Sequence, residues 1–258
     1  MLTVTSNEMV QLVQMWLWPF FRIAGLLMAA PIIGTRTVPM RTRMVLAIAI
    51  TIVLIPVLPD IPKVDPISSE GLLISLQQVI TGLSMGLSIR VVFIALEVAG
   101  QAIGQLMGLM MASMVDPTNG NQVPIIGQFY LLLATLLFLA VDGHLMMLRV
   151  LAESFITMPI STAGISTNDA WEVVTWIGTI LKTAVVIALP AMASLLIVNL
   201  SFGVMTRSSP QLNIFAVGFP IMIILGVLII FFNLSSFVPH MVELFDDGFL
   251  MMQKMVTP

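Results

Sequence analysis

The chain has 258 residues, 59% of them hydrophobic and only 9% charged, with a formal net charge of -3 and a mean hydropathy of +1.08. Soluble globular domains carry about a quarter charged residues, so this composition excludes one and defines an integral membrane protein. The small, dispersed charge gives no footprint for nucleic acid, and the absence of cysteine excludes disulfides, thiolate metal sites and iron-sulfur ligation.

Long stretches carry no charge at all: 44–59, 71–89, 98–115, 117–141, 183–206 and 208–242. Roughly 20 apolar residues cross the hydrocarbon layer, so six spans are predicted, at 10–33, 44–59, 71–96, 125–147, 174–204 and 212–238. Met1 to Gln14 carries Glu8 and neither Lys nor Arg, and the first apolar run contains Trp16, Trp18 and Arg22. No cleavable signal peptide is expected there, and the first span is expected to remain. Arg36, Arg41 and Arg43 lie between the first two spans, whereas Asp60, Asp65 and Glu70 outnumber Lys63 in the next connection. The positive-inside rule then places the first loop in the cytoplasm and the amino terminus outside. Continuing the count, the Arg207 connection falls in the cytoplasm and a tail with Glu243, Asp246 and Asp247 falls outside. The three prolines of 59–70, PDIPKVDPISSE, predict an extended external loop.

The next segment, 100–124, reads GQAIGQLMGLMMASMVDPTNGNQVP. Gly100, Gly104, Gly108 and Ala112 recur every four residues, so on a helix they form a stripe over which another backbone can pass closely. Met107, Met110, Met111 and Met114 accompany the stripe, before a turn-forming run from Asp116 through Pro117, Thr118, Asn119 and Gly120 to Asn121. A methionine stripe at helical spacing is ordinarily core. The same pliable thioethers also suit a deformable seal. Because 97–124 falls on the cytoplasmic side of the count yet is as apolar as a span, it is expected to be a re-entrant hairpin turning at Asp116 to Asn121.

Farther on, Asn168 and Asp169 are expected to cap a helix beginning near Trp171. Pro19, Pro190 and Pro220 fall inside apolar runs, where each removes a backbone hydrogen bond and predicts a kink or break. Such breaks belong where protein or a watery cavity satisfies the released carbonyls.

The chemistry-bearing residues are sparse. Ser84 and Ser88 with His144 or His240 would be needed for an intramembrane serine hydrolase, but TGLSMGLS reads as a close-packing helix face through Gly82, Ser84, Gly86 and Ser88. An aspartyl pair of Asp116 and Asp142 fares no better, since Asp116 sits in a turn and Asp142-Gly143-His144 reads as the end of a span. Two distant histidines supply no metal site. No cofactor and no catalysis are expected. A transporter could use Arg22, Arg90, Glu97, Gln101, Gln105, Glu153 and Lys182 as a midplane site, but the two halves show no matching pair of short interrupted helices.

Four stretches carry a family resemblance in the right order: WLWPFFRIAGLLMAAPIIGTRTVPMRTR, GQAIGQLMGLMMASMVDP, LFLAVDGH at 137–144 and PQLNIFAVGFP at 210–220. Together they resemble the FliR family of bacterial flagellar export-gate proteins, whose virulence relatives are the SpaR/YscT proteins of type III secretion. The resemblance implies an all-α integral membrane protein of kinked helices and helical hairpins, with a FliP-like part at 1–172 that includes the plug segment 97–124. A FliQ-like hairpin and carboxy-terminal tail would occupy 173–258. It implies a gate subunit in the bacterial inner membrane and flagellar basal body, protruding to the periplasmic side. The implied partners are FliP-like, FliQ-like and FlhB-like subunits, unfolded flagellar export substrates and membrane lipid. The plug positions would be Met107, Met110, Met111, Met114, Val115, Asp116, Pro117, Asn119 and Gly120, within about Met110 to Gln122. The stripe of Gly100, Gly104, Gly108 and Ala112 would pack on FliP-like neighbours. Arg207, Pro210, Gln211 and Asn213 would form the cytoplasmic loop. Where some relatives carry phenylalanines before Val-Asp-Pro, this chain has Met111 and Met114.

Overall fold

The computed structural model describes residues 6–59, 61–109, 124–208 and 214–257, and the side chains of all of these except 6–13, 206 and 214–217. The described residues form helices α1 (Ser6–Ala29), α2 (Met40–Leu54, continued by a 3-10 turn at Ile55–Val57) and α3 (Ser69–Leu106). They continue as α4 (Ile125–Ala140), α5 (Gly143–Thr157), α6 (Thr167–Ser208) and α7 (Ile214–Lys254). No strand occurs among them. Four of these helices are long and apolar enough to cross a membrane, or five when α4 and α5 count as one interrupted span. The chain is therefore an all-α integral membrane protein. The first expected span, 10–33, falls on α1, part of whose side chains lie outside the described residues.

Several boundaries differ from expectation. Residues 97–106 form no separate helix but continue α3, a single helix of 38 residues, and the turn expected at Asp116 to Asn121 lies outside the described residues. The expected span 125–147 is interrupted at Val141 and Asp142, where Asp142 adopts a left-handed φ of 56° that its short polar side chain tolerates. The prolines interrupt nothing: α1 runs through Pro19, α6 through Pro190, and α7 through Pro220 and Pro239. One lost hydrogen bond is a small fraction of what a helix of about 40 residues makes. A cavity of about 270 Å³ lined by Pro190, Val186, Tyr130, Asn233, Ser236 and His240 among others adjoins the place where Pro190 withholds its N–H. The expected tail is helical as well, since α7 reaches Lys254.

The loop 61–68 is non-helical as expected, and it is tied down from both sides. Gln14 Nε2 donates to the Val64 carbonyl at 2.6 Å, Asp65 Oδ1 accepts from the Ile67 amide at 3.0 Å, and Ser68 Oγ accepts from the Gly71 amide at 3.1 Å to cap α3. At α6 the cap is Ser166 rather than Asn168. The Asp169 amide donates to Ser166 Oγ at 3.2 Å and the Ser166 amide donates to Asp169 Oδ2 at 2.7 Å, a reciprocal box that starts the helix at Thr167.

Packing divides the chain into two compact units that interleave along the sequence. Unit 1 takes Met1–Val91, Val141–Ile177 and Phe245–Pro258; unit 2 takes Val92–Ala140 and Gly178–Leu244. In unit 1, α1 and the first half of α3 meet backbone to backbone. A Cβ on Gly82 would lie 2.0 Å from the Arg22 carbonyl oxygen, and one on Gly86 would lie 2.6 Å from that of Leu26. Inside a bilayer, lipid competes with apolar side chains, so such close van der Waals contact and interhelical hydrogen bonds carry the association.

The hydrogen bonds come from Trp18 and Arg22, both fully buried. Trp18 Nε1 donates to Ser75 Oγ at 3.2 Å. Arg22 donates Nε to Gln78 Oε1 at 2.8 Å, Nη1 to the Ser154 carbonyl at 2.8 Å and to Ser154 Oγ at 3.1 Å, and Nη2 to the Met158 carbonyl at 2.9 Å. Its guanidinium also lies 4.4 Å from the centre of the Phe155 ring. One cation thus joins α1 to α3 and caps the carboxy-terminal carbonyls of α5. The end of α7 completes this unit: Met251 and Met255 pack with Val173, and Lys254 Nζ meets Glu172 Oε2 at 2.9 Å.

Candidate functional site

In unit 2 the last turns of α3 lie on α4. A Cβ on Gly100 would come within 2.9 Å of the Ile126 carbonyl oxygen and 3.0 Å of Gly127 Cα, and one on Gly104 within 3.3 Å of the Ile126 side chain. Gly100 and Gly104 of the small-residue stripe therefore face the chain's own α4. The stripe is shorter than expected. Gly108 lies beyond the helix with φ +77°, a left-handed conformation that glycine adopts without penalty, and Ala112 lies outside the described residues.

This turn is the root of the segment singled out as a plug. The Met107 amide still bonds the Ile103 carbonyl at 3.1 Å, while the Gly108 amide turns back to Gln105 at 3.0 Å. The Leu106 carbonyl, orphaned at the helix end, accepts from Asn199 Nδ2 of α6 at 3.0 Å. Met107 is fully buried, and its side chain occupies the space where Gly226 of α7 lacks a Cβ, within 2.5 Å of that position. The Phe219 ring approaches within 3.7 Å of where a Cβ on Gly108 would lie. Met107 is thus a packed residue of unit 2. The other plug positions, Met110, Met111, Met114, Val115, Asp116, Pro117, Asn119 and Gly120, lie outside the described residues. Arg207 is exposed in the last turn of α6; Pro210, Gln211 and Asn213 lie outside the described residues.

Asn199 is the residue that sequence reasoning missed as an anchor. Its signal was present: it is the single carboxamide in the uncharged stretch 183–206, and a lone amide among apolar residues seeks a partner. Elsewhere in unit 2 the packing is aromatic and small. Phe93 and Phe138 meet edge-on at 5.3 Å, Tyr130 and Phe237 at 4.4 Å, and Ala95, Ala99, Ala134, Ala184 and Ala188 are buried.

Of the residues weighed for a midplane transport site, Glu97 and Gln101 are the pair bonded to each other among the described residues. Arg22 is spent within unit 1, Glu153 pairs with Arg149 at 2.9 Å, and Gln101 donates to Glu97 at 3.2 Å along α3. Arg90 belongs to unit 1, whereas Lys182 and Gln105 belong to unit 2, both exposed. The hydrolase constellation is not assembled: Ser88 Oγ donates to the Ser84 carbonyl at 2.9 Å, and among the described residues neither serine bonds a histidine. Among those residues no group of three or more acids and histidines gathers as for a metal.

An all-α membrane protein with a sparsely polar interior and long, exposed apolar helices is the class these observations define. Comparison with known proteins narrows it. The family described as bacterial export proteins, family 1, matches residues 13–248, and the chain belongs to that family, the FliR family. It is 37% identical over 258 residues to the flagellar biosynthetic protein FliR of Pectobacterium carotovorum subsp. carotovorum, covering 100% of this chain and 98% of the relative. It is 33% identical over 260 residues to that of Escherichia coli (strain K12), with the same coverage. To the protein of that name from Bacillus subtilis (strain 168) it is 28% identical over 232 residues, 89% of each chain.

Proposed function

We propose that this chain is a subunit of the flagellar protein export gate in the bacterial inner membrane, assembled with FliP-like, FliQ-like and FlhB-like subunits. In this reading 1–172 is the FliP-like part and 173–258 the FliQ-like part. Unfolded flagellar subunits pass through the channel it helps to wall, and its role is that of a conduit rather than a catalyst.

The observation that carries this reading is the length and nakedness of α6 and α7. They have 42 and 41 residues, about 60 Å each at 1.5 Å per residue, against a hydrocarbon layer of about 30 Å. Yet only 17% and 22% of their most apolar stretches are buried within the chain. Lipid can cover half of such a rod, so sibling helices cover the rest. The test is co-purification with mass identification: FliP-like and FliQ-like polypeptides are expected with the tagged chain in stable ratio. Recovery of a self-sufficient, homogeneous monomer would overturn the reading.

Within the gate, Met110, Met111 and Met114 with Val115 obstruct the lumen by apolar constriction, as hydrophobic gates exclude water and ions. Asp116, Pro117, Asn119 and Gly120 supply the turn on which the obstruction moves aside. The anchored root at Leu106 to Gly108 supports this reading, because a moving stopper needs a fixed base. Replacing Met111 and Met114 together with glycine is expected to raise ion leak at least severalfold in cells overproducing the assembled gate. Unchanged conductance with normal assembly would remove both residues from the seal.

A further inference from the structure

We propose that Arg36 and Arg41, at the head of α2, hold the headgroup of an anionic phospholipid whose acyl chains lie along the exposed face of that helix. Between residues 9 and 59 the chain has four arginines and no carboxylate. Two of the four are engaged within the chain. Arg22 is consumed in the core of unit 1, and Arg43 donates Nη2 to the carbonyls of Thr35 and of Val38, the latter at 2.9 Å. That second clasp ties the 35–38 turn to the start of α2 and fixes the backbone on which Arg36 and Arg41 stand. Both of these are exposed, and neither forms an ion pair among the described residues.

The helix beneath them has the dimensions of a bilayer. The apolar stretch Met40–Val57 has 18 residues, about 27 Å, close to the hydrocarbon thickness of about 30 Å. Only 11% of it is buried, and Val45, Ile48, Ile52 and Val53 are exposed. Unlike α6 and α7, it can be covered by lipid over its whole length, which puts its first residues where hydrocarbon gives way to headgroups. Guanidinium forks match phosphate oxygens in two-pronged geometry, and a headgroup without its own cation leaves that charge unopposed. Charge complementarity at one end and a matched apolar length below it select a lipid over a protein segment.

The test is native mass spectrometry of the purified full chain, with the subunits it retains, released from nanodiscs of equimolar phosphatidylglycerol and phosphatidylcholine. Retention of phosphatidylglycerol over phosphatidylcholine is expected, with a drop of about fivefold for each arginine removed. The R36Q/R41Q pair should therefore lose the preference, while R149Q, which removes a basic residue on α5, should keep it. Equal retention of the two lipids by the unaltered protein, or an unchanged preference in the double variant, would overturn the proposal. Should the double variant fail to fold, the unaltered protein still decides. Raising salt from 0.1 M to 1 M shortens the screening length from about 10 Å to about 3 Å and should abolish the preference, whereas a salt-independent preference counts against it.

Discussion

Arg22→Ala is expected to eliminate the folded protein. The substitution leaves Gln78 Oε1 and the Met158 carbonyl without their donor in a region where water cannot reach them, and it unties α1 from α3 and α5 at once. Removing one partner from a buried charged network costs about 3–5 kcal/mol, comparable to much of a domain's net stability. The measurement is the yield of monodisperse protein by size-exclusion chromatography in detergent, expected to fall by on the order of a hundredfold. Arg22→Lys should recover little, because a point charge cannot serve four acceptors spread across three directions. Near-normal yield and melting temperature for Arg22→Ala would mean that the network is dispensable.

Gly82→Ala is expected to be nearly as damaging, although it adds a single methyl group. At 2.0 Å from the Arg22 carbonyl oxygen that methyl cannot be accommodated by a side-chain rotation, since what it meets is backbone. The two helices must separate by an ångström or more, and the separation carries Arg22 away from its acceptors. Overpacking alone costs about 1–3 kcal/mol, and the disturbed network adds to it. Gly178→Ala and Gly203→Ala provide the contrast, because nothing lies within 4 Å of a Cβ at either position. Both should be neutral or stabilising by up to about 1 kcal/mol through helix propensity. The comparison is thermal unfolding of the three variants in one detergent, and equal behaviour would sink the close-approach argument.

How much could be read from the residues varied by the kind of signal. Helices over the apolar runs were legible because in a bilayer every backbone group must bond within its own segment. Close packing along Gly82 and Gly86 was legible too, since small residues at helical spacing have few other uses. What was not legible was the partner. The stripe at Gly100 and Gly104 says that a backbone comes near, and nothing in those residues says that it is α4 of the same chain. Helix length failed for a related reason: the expected span stopped at 96, just before Glu97, but Glu97 has Gln101 one turn away and the helix runs on to Leu106. At the prolines, sequence reveals the lost hydrogen bond but does not say whether the helix ends there, and the helices run on through Pro19, Pro190 and Pro220. Of the candidate site, the methionines were visible as a pattern, whereas the anchoring of Leu106 by Asn199 joins positions too distant for any local periodicity.

The construction of unit 1 sets the order in which the protein can be made. Its core needs the stretch from Phe245 to Val256, which includes the fully buried Met252 and seats Lys254 on Glu172. A ribosome delivers that stretch after every other piece of the unit, so the packing on Val173 and Glu172 cannot be completed while that stretch is still being made. Membrane insertion of the early helices must therefore precede the last packing step, and an arrest or truncation within α7 would leave a nascent chain exposed to proteolytic clearance.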